Sequence, residues 1–123
     1  MVDAETNSLG YVAAVGSVSD VIDETQIREA GRRLSGAVPG GKVILFGSHA
    51  RGDAGDRSDL DILVIKPEVE NAGLDAVRLM RELRDLRLPV EVVVVSASDV
   101  EAWGNVRGSL VHAAITEGRV LAG

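Results

Sequence analysis

The sequence contains no cysteine, so it forms neither a disulfide framework nor a thiolate metal site. Aromatic residues are almost as scarce, with one Trp, one Tyr and one Phe among 123 residues. Since 46% of the chain is apolar, the core must be Val, Leu, Ile and Ala, as buried parallel or mixed α/β sheets usually require. Basic charge is in deficit, with 13 Lys and Arg against 19 Asp and Glu and a net charge of −6. That balance argues against a general nucleic-acid binder, whose affinity depends on neutralising phosphates. It does not argue against a nucleotide enzyme, because bound metal ions reverse the local sign. Long apolar runs are missing as well, and none nears the ~20 residues of a membrane-spanning helix. The N-terminus has no basic stretch followed by an apolar one, so a signal peptide is not expected and a cytoplasmic setting is.

What is present reads as one domain over residues 21–123, preceded by an extension over 1–20 that is rich in Gly, Ser, Ala and Val and lacks a capped helix. Asp23 with Gln26 forms a capping box, and Ile27, Ala30, Gly31, Leu34 and Val38 follow at helical spacing until Pro39-Gly40-Gly41. Lys42–Phe46 is a short apolar run between glycines and reads as a buried strand. Gly47–Ser58 is a polar, glycine-rich loop with room for a helical turn. Leu60–Ile65 is a second strand, and Leu74, Val77, Met80, Leu83 and Leu86 mark an amphipathic helix that Pro89 breaks. Val90–Val95, β-branched with one acid, is expected to be the most deeply buried strand. Ser98-Asp99-Val100-Glu101 reads as a second capping box, Ser109–Glu117 as a last helix, and Arg119-Val120-Leu121 as an edge strand. Helices interleaved with strands predict an α/β (α+β) fold, a mixed β-sheet with helices packed on it.

The chemistry concentrates between Gly47 and Asp61. Gly47-Ser48 directly follows a buried strand, where glycine lets the backbone turn sharply and a ligand approach closely. If a helical turn begins there, its free N–H groups suit a phosphate. Asp59 and Asp61 stand two apart at the mouth of a strand and therefore share one face. Two such carboxylates repel unless a cation lies between them or one is protonated, and oxygen-only ligands select Mg²⁺ or a similar hard ion. Glu91 is the lone acid in Val90–Val95, and if that strand lies beside the first it completes a cluster able to hold two metals.

The stretch Gly47-Ser48-His49-Ala50-Arg51-Gly52 through Ser58-Asp59-Leu60-Asp61-Ile62-Leu63-Val64 resembles the signature of the DNA polymerase beta-like nucleotidyltransferase superfamily, and in particular its minimal nucleotidyltransferase (MNT) branch. The order helix, strand, motif, strand, helix, acid-bearing strand resembles it too, over roughly residues 21–121. The resemblance implies transfer of a nucleoside monophosphate, usually AMP from ATP, with two Mg²⁺ ions. It assigns Gly47 and Ser48 to the β and γ phosphates and Asp59 and Asp61 to the metals. Glu91 falls where the family places a third carboxylate, usually an aspartate. Arg51 and Ser58 join the nucleotide-binding candidates, Arg51 with the alternative of bracing the loop through Asp53, Asp56 or Asp59. Larger members carry an acceptor-binding second domain, so the acceptor here is expected on another chain. Free-standing minimal members often pair with a small all-helical HEPN toxin, and several act as antitoxins by adenylylating it. The competing expectation is a non-catalytic module that neutralises a partner by binding.

Other charged residues read more blandly. Arg78, Arg81, Arg84 and Arg87 form a basic ridge, with Glu82 and Asp85 four residues from Arg78 and Arg81, as in an ion-paired, solvated helix face, with a partner-docking surface as the alternative. His49 has no second histidine nearby and reads as an exposed loop position. A homodimer is a further expectation, because a small sheet often needs its edge covered.

Overall fold

A capping box opens the fold. Gln26 N–H donates to Asp23 Oδ1 and Asp23 N–H to Gln26 Oε1, both at 2.9 Å, satisfying two of the donors that a helix start leaves free. Helix α1 (Glu24–Ala37) then buries Ile27, Ala30, Gly31 and Leu34, the i, i+3, i+4, i+7 stripe that the sequence predicts. The computed structural model describes residues 22–55 and 58–123; the expected extension over 1–20 lies outside the described residues, as do Asp56 and Arg57.

Strand β1 (Lys42–Phe46) leads into a single helical turn, α2 (Ser48–Arg51), and the chain returns as β2 (Leu60–Lys66). Helix α3 (Ala72–Arg81) is capped by the Asn71 side chain, which accepts from Leu74 N–H at 3.0 Å. A 3₁₀ turn (Arg84–Leu86) ends on Arg87, whose left-handed φ of 56° redirects the chain toward Pro89. Then come β3 (Val90–Ser96), α4 (Ala97–Trp103), α5 (Leu110–Glu117) and β4 (Arg119–Ala122).

The four strands lie in the order β3-β2-β1-β4. Strand β1 runs antiparallel to both β2 and β4, whereas β2 and β3 are parallel. A parallel pair needs a crossover, and α3 supplies it. The result is the mixed sheet expected from the sequence, and β4 is the edge strand expected of Arg119–Leu121. Side chains alternate between two faces. Val43, Leu45, Leu60, Ile62, Val64, Val92 and Val94 form the main core with α1, Leu79 and Leu83. The opposite face carries a smaller cluster of Ile44, Leu63 and Ala114, with Phe46, Ile65, Val93 and Val95 half-covered around it.

Three expectations need correction. The Val-rich strand β3 is an edge, not the most buried strand, because it has a neighbour on one side only. That central place belongs to β2, where Leu60, Ile62, Leu63 and Val64 are fully buried. The expected stripe of Leu74, Val77, Met80, Leu83 and Leu86 meets the core only through its last two residues. Leu74, Val77 and Met80 are exposed, while Leu79 and Leu83 are buried, because the helix rotates to set Leu79 against the sheet. The second capping box is also two residues earlier than expected. Ser96 is extended at the end of β3, so its Oγ accepts from Asp99 N–H at 3.1 Å and Asp99 Oδ2 accepts from Ser96 N–H at 3.0 Å. Among the described residues no helix is long and apolar enough to cross a membrane.

Candidate active site

Three short segments meet at one end of the sheet: the turn after β1, the start of β2 and the start of β3. The antiparallel register sets Phe46 opposite Asp61, and the parallel register sets Asp61 beside Glu91. Both acids therefore lie on the half-covered face, at the end where α5 delivers the chain into β4.

Gly47 is fixed here by two constraints. Its φ is 75°, a left-handed value that favours glycine. A Cβ at this position would also collide with the Asp61 carboxylate, lying 3.1 Å from Asp61 Cγ and closer still to Oδ2. The turn thus passes directly under the acid. Ser48 begins α2, in which Ala50 and Arg51 N–H donate to Gly47 O at 3.1 and 3.0 Å, and Gly52 and Asp53 N–H to Ser48 O at 2.9 and 3.1 Å. The N–H groups at the start of such a turn have no acceptor within it.

Asp61 is half-buried and its carboxyl is held above the usual carboxylate range, chiefly by burial and then by the nearby Glu91 and Asp59 charges, with His49 opposing them. Asp59 is exposed, one step before β2, and Glu91 is exposed at the start of β3. Oxygen-only donors crowded enough to disfavour ionisation are what a hard divalent cation relieves, so the donor chemistry of these residues fits Mg²⁺. Among the described residues no three His, Asp or Glu side chains already close on one point.

His49 is the residue the sequence reading undervalued. It is half-buried, and its Nε2 lies 2.9 Å from Ser58 O. It therefore ties the turn after β1 to the approach of β2. Sequence spacing carries no signal for this, since the contact exists only once the loop returns on itself. Ser58 has a second loop-shaping role, its Oγ accepting from Gly55 N–H at 2.9 Å. Arg51 is braced by Asp53 Oδ2 at 3.3 Å and by Glu117 Oε1 at 3.4 Å, which links the motif to the end of α5.

Residues 24–116 match the family model described as "Nucleotidyltransferase domain". This chain belongs to the nucleotidyltransferase domain family. Among curated proteins none matches it. Solved structures do. A chain of the complex of tri-AMPylated Shewanella oneidensis HEPN toxin with MNT antitoxin is similar at a TM-score of 0.55 and 21% identity, over 83% of this chain and 73% of that one. A toxin–antitoxin structure with AMP-PNP gives 0.55 and 23%, over 83% and 74%. A Sulfolobus solfataricus protein provisionally named a nucleotidyltransferase gives 0.51 and 23%, over 87% and 90%. At these identities the likeness is one of fold. It places this nucleotidyltransferase domain on the same mixed-sheet scaffold as those proteins.

Proposed function

We propose that the protein transfers a nucleoside monophosphate, AMP from ATP, to a hydroxyl on a partner protein, as the antitoxin of a HEPN/MNT toxin–antitoxin pair in the cytoplasm. The observation that carries this reading is the meeting of Gly47, Asp61 and Glu91, with Asp59 close enough to perturb Asp61. The likeness to an AMPylated toxin–antitoxin complex supports the partner class.

In this reading Asp59, Asp61 and Glu91 hold Mg²⁺, which supplies neutralisation of the charge that develops on the transferring phosphoryl group. Gly47 lets the turn pass directly against Asp61, and the N–H and hydroxyl of Ser48 orient the triphosphate. The acceptor oxygen bonds to the α-phosphorus as the α–β bridge breaks, and pyrophosphate leaves. Glu91, exposed at the rim, takes the acceptor's proton. Arg51 and Ser58 complete the nucleotide contacts, Arg51 by exchanging its hold on Asp53 and Glu117 for phosphate.

The test is incubation with α-labelled ATP, Mg²⁺ and the cognate partner. Label on the partner, lost in Asp59→Ala/Asp61→Ala, is the expected result. The second reading is a module that neutralises its partner by binding alone. It is favoured by Glu91, which stands where the resemblance places an aspartate. Full neutralisation by the double variant would select it.

A further inference from the structure

The sequence predicts an ion-paired basic ridge on α3, and the structure splits that ridge in two. Asp85, the expected partner of Arg81, instead takes Arg33 of α1. Arg78 turns to the α1 side, lining a recess with Lys66, Asp75 and Glu82. Among the described residues Arg81 and Arg84 enter no salt bridge. They instead line a groove of about 420 Å³ with Val77, Met80, Leu83, Leu88 and Val90. Val77 and Met80 are 48% and 44% exposed, so the groove has an apolar wall open to solvent.

We infer that this groove docks an acidic amphipathic helix of a partner protein. Two cations on an apolar cleft, in a chain of net charge −6, select carboxylates set beside an apolar stripe. The walls are side chains at helical spacing, the form that receives i, i+3 and i+4 anchors. Single-stranded nucleic acid fits less well, because its binding calls for aromatic stacking platforms and the groove has none. The groove reaches the strand end that also carries the candidate active site. Val90 lies in it, and the next residue, Glu91, points to the opposite face of the same strand end. Naming that partner as the acceptor rests on the nucleotidyl-transfer reading, whereas the groove's chemistry does not.

The experiment uses the full chain without nucleotide or metal. The probe is a fluorescein-labelled helical peptide with Leu at i, i+3, i+4 and i+7 flanked by Glu, alongside the same peptide with Lys for Glu, and fluorescence anisotropy is read. The Glu peptide is expected to bind with a Kd on the order of 10 μM, at least ~10-fold tighter than the Lys peptide. Arg81→Glu/Arg84→Glu reverses the preference, and Val77→Asp/Met80→Asp abolishes binding of both. All four residues are exposed, and unchanged thermal melts verify that the variants fold. Equal binding of the two peptides, no binding, or tighter binding of a single-stranded oligonucleotide overturns the proposal. So does self-association in sedimentation velocity that Arg81→Glu/Arg84→Glu removes, which assigns the groove to a second copy. Because no nucleotide is present, failure here leaves nucleotidyl transfer standing, and failure of the labelled-ATP assay leaves the groove standing.

Discussion

The two faces of the sheet divide the molecule's tasks. One face is closed by α1 and α3 over Val43, Leu45, Leu60, Ile62, Val64, Val92 and Val94, most of them fully buried. The other is only partly closed, around Ile44, Leu63 and Ala114, and ends in the acids Asp61 and Glu91. Apolar packing concentrates on the closed face, and like charges are tolerated on the half-covered one. The difference shows why so small a chain can afford a carboxylate cluster: the opposite face already supplies the core.

The largest way to break this comparison is on the open face. Asp61→Asn should cut nucleotidyl transfer by ~10³-fold or more, about 4 kcal/mol, in the labelled-ATP assay. The melting temperature should hold or rise, because burial, Glu91 and Asp59 all oppose the Asp61 charge. A clear fall in melting temperature would mean that the open face also carries stability. The mirror experiment is Leu34→Ala on the closed side, where the side chain is fully buried. It should cost about 3 kcal/mol in urea unfolding with the rate per folded molecule unchanged.

Gly47→Ala joins the two. Its left-handed backbone and the Asp61 carboxylate leave no place for a methyl group, so both stability, by about 2 kcal/mol, and Mn²⁺ binding by calorimetry should fall. His49→Ala should lower kcat by roughly tenfold, a modest loss of orientation, with His49→Gln recovering part of it if the bond to Ser58 O is what matters.

The smallest effect is on pH dependence. Arg32 and Arg33 hold Glu29 down to about 2, and Arg33 also lowers Asp85. A carboxylate with a lowered folded pKa contributes stability above its ordinary value, and that contribution fades as pH falls toward the folded one. For Glu29 the window runs from 4.5 down to about 2. Asp61 has the opposite sign: its contribution is present at low pH and is lost as pH rises through its raised pKa. Arg33→Ala should flatten the acid limb of stability, the more weakly in high salt because these groups are exposed.

Much of the fold was legible because its signals are local. Asp23 with Gln26, the α1 stripe and the closing edge strand each depend on a few neighbouring residues. Gly47 and the Asp59–Asp61 pair stood out for the same reason, as residue types whose spacing alone sets a shared face. What escaped depends on which strand lies beside which. The valines of β3 look buried until the sheet order makes them an edge. Asp85 sits four residues from Arg81, yet Arg33 reaches it from another helix. The tie between His49 and Ser58 spans a loop whose path no pattern in the sequence encodes.

The parallel pairing of β2 with β3 has a consequence in time. Asp61 and Glu91 become neighbours only when the crossover through α3 has closed, and such non-local closure is slow compared with the local steps of folding. The helix α1 and the β1 turn can form early, but the carboxylate cluster cannot assemble from either. A partly folded or nascent chain in which β3 has not yet paired with β2 therefore lacks the Asp61–Glu91 neighbourhood altogether.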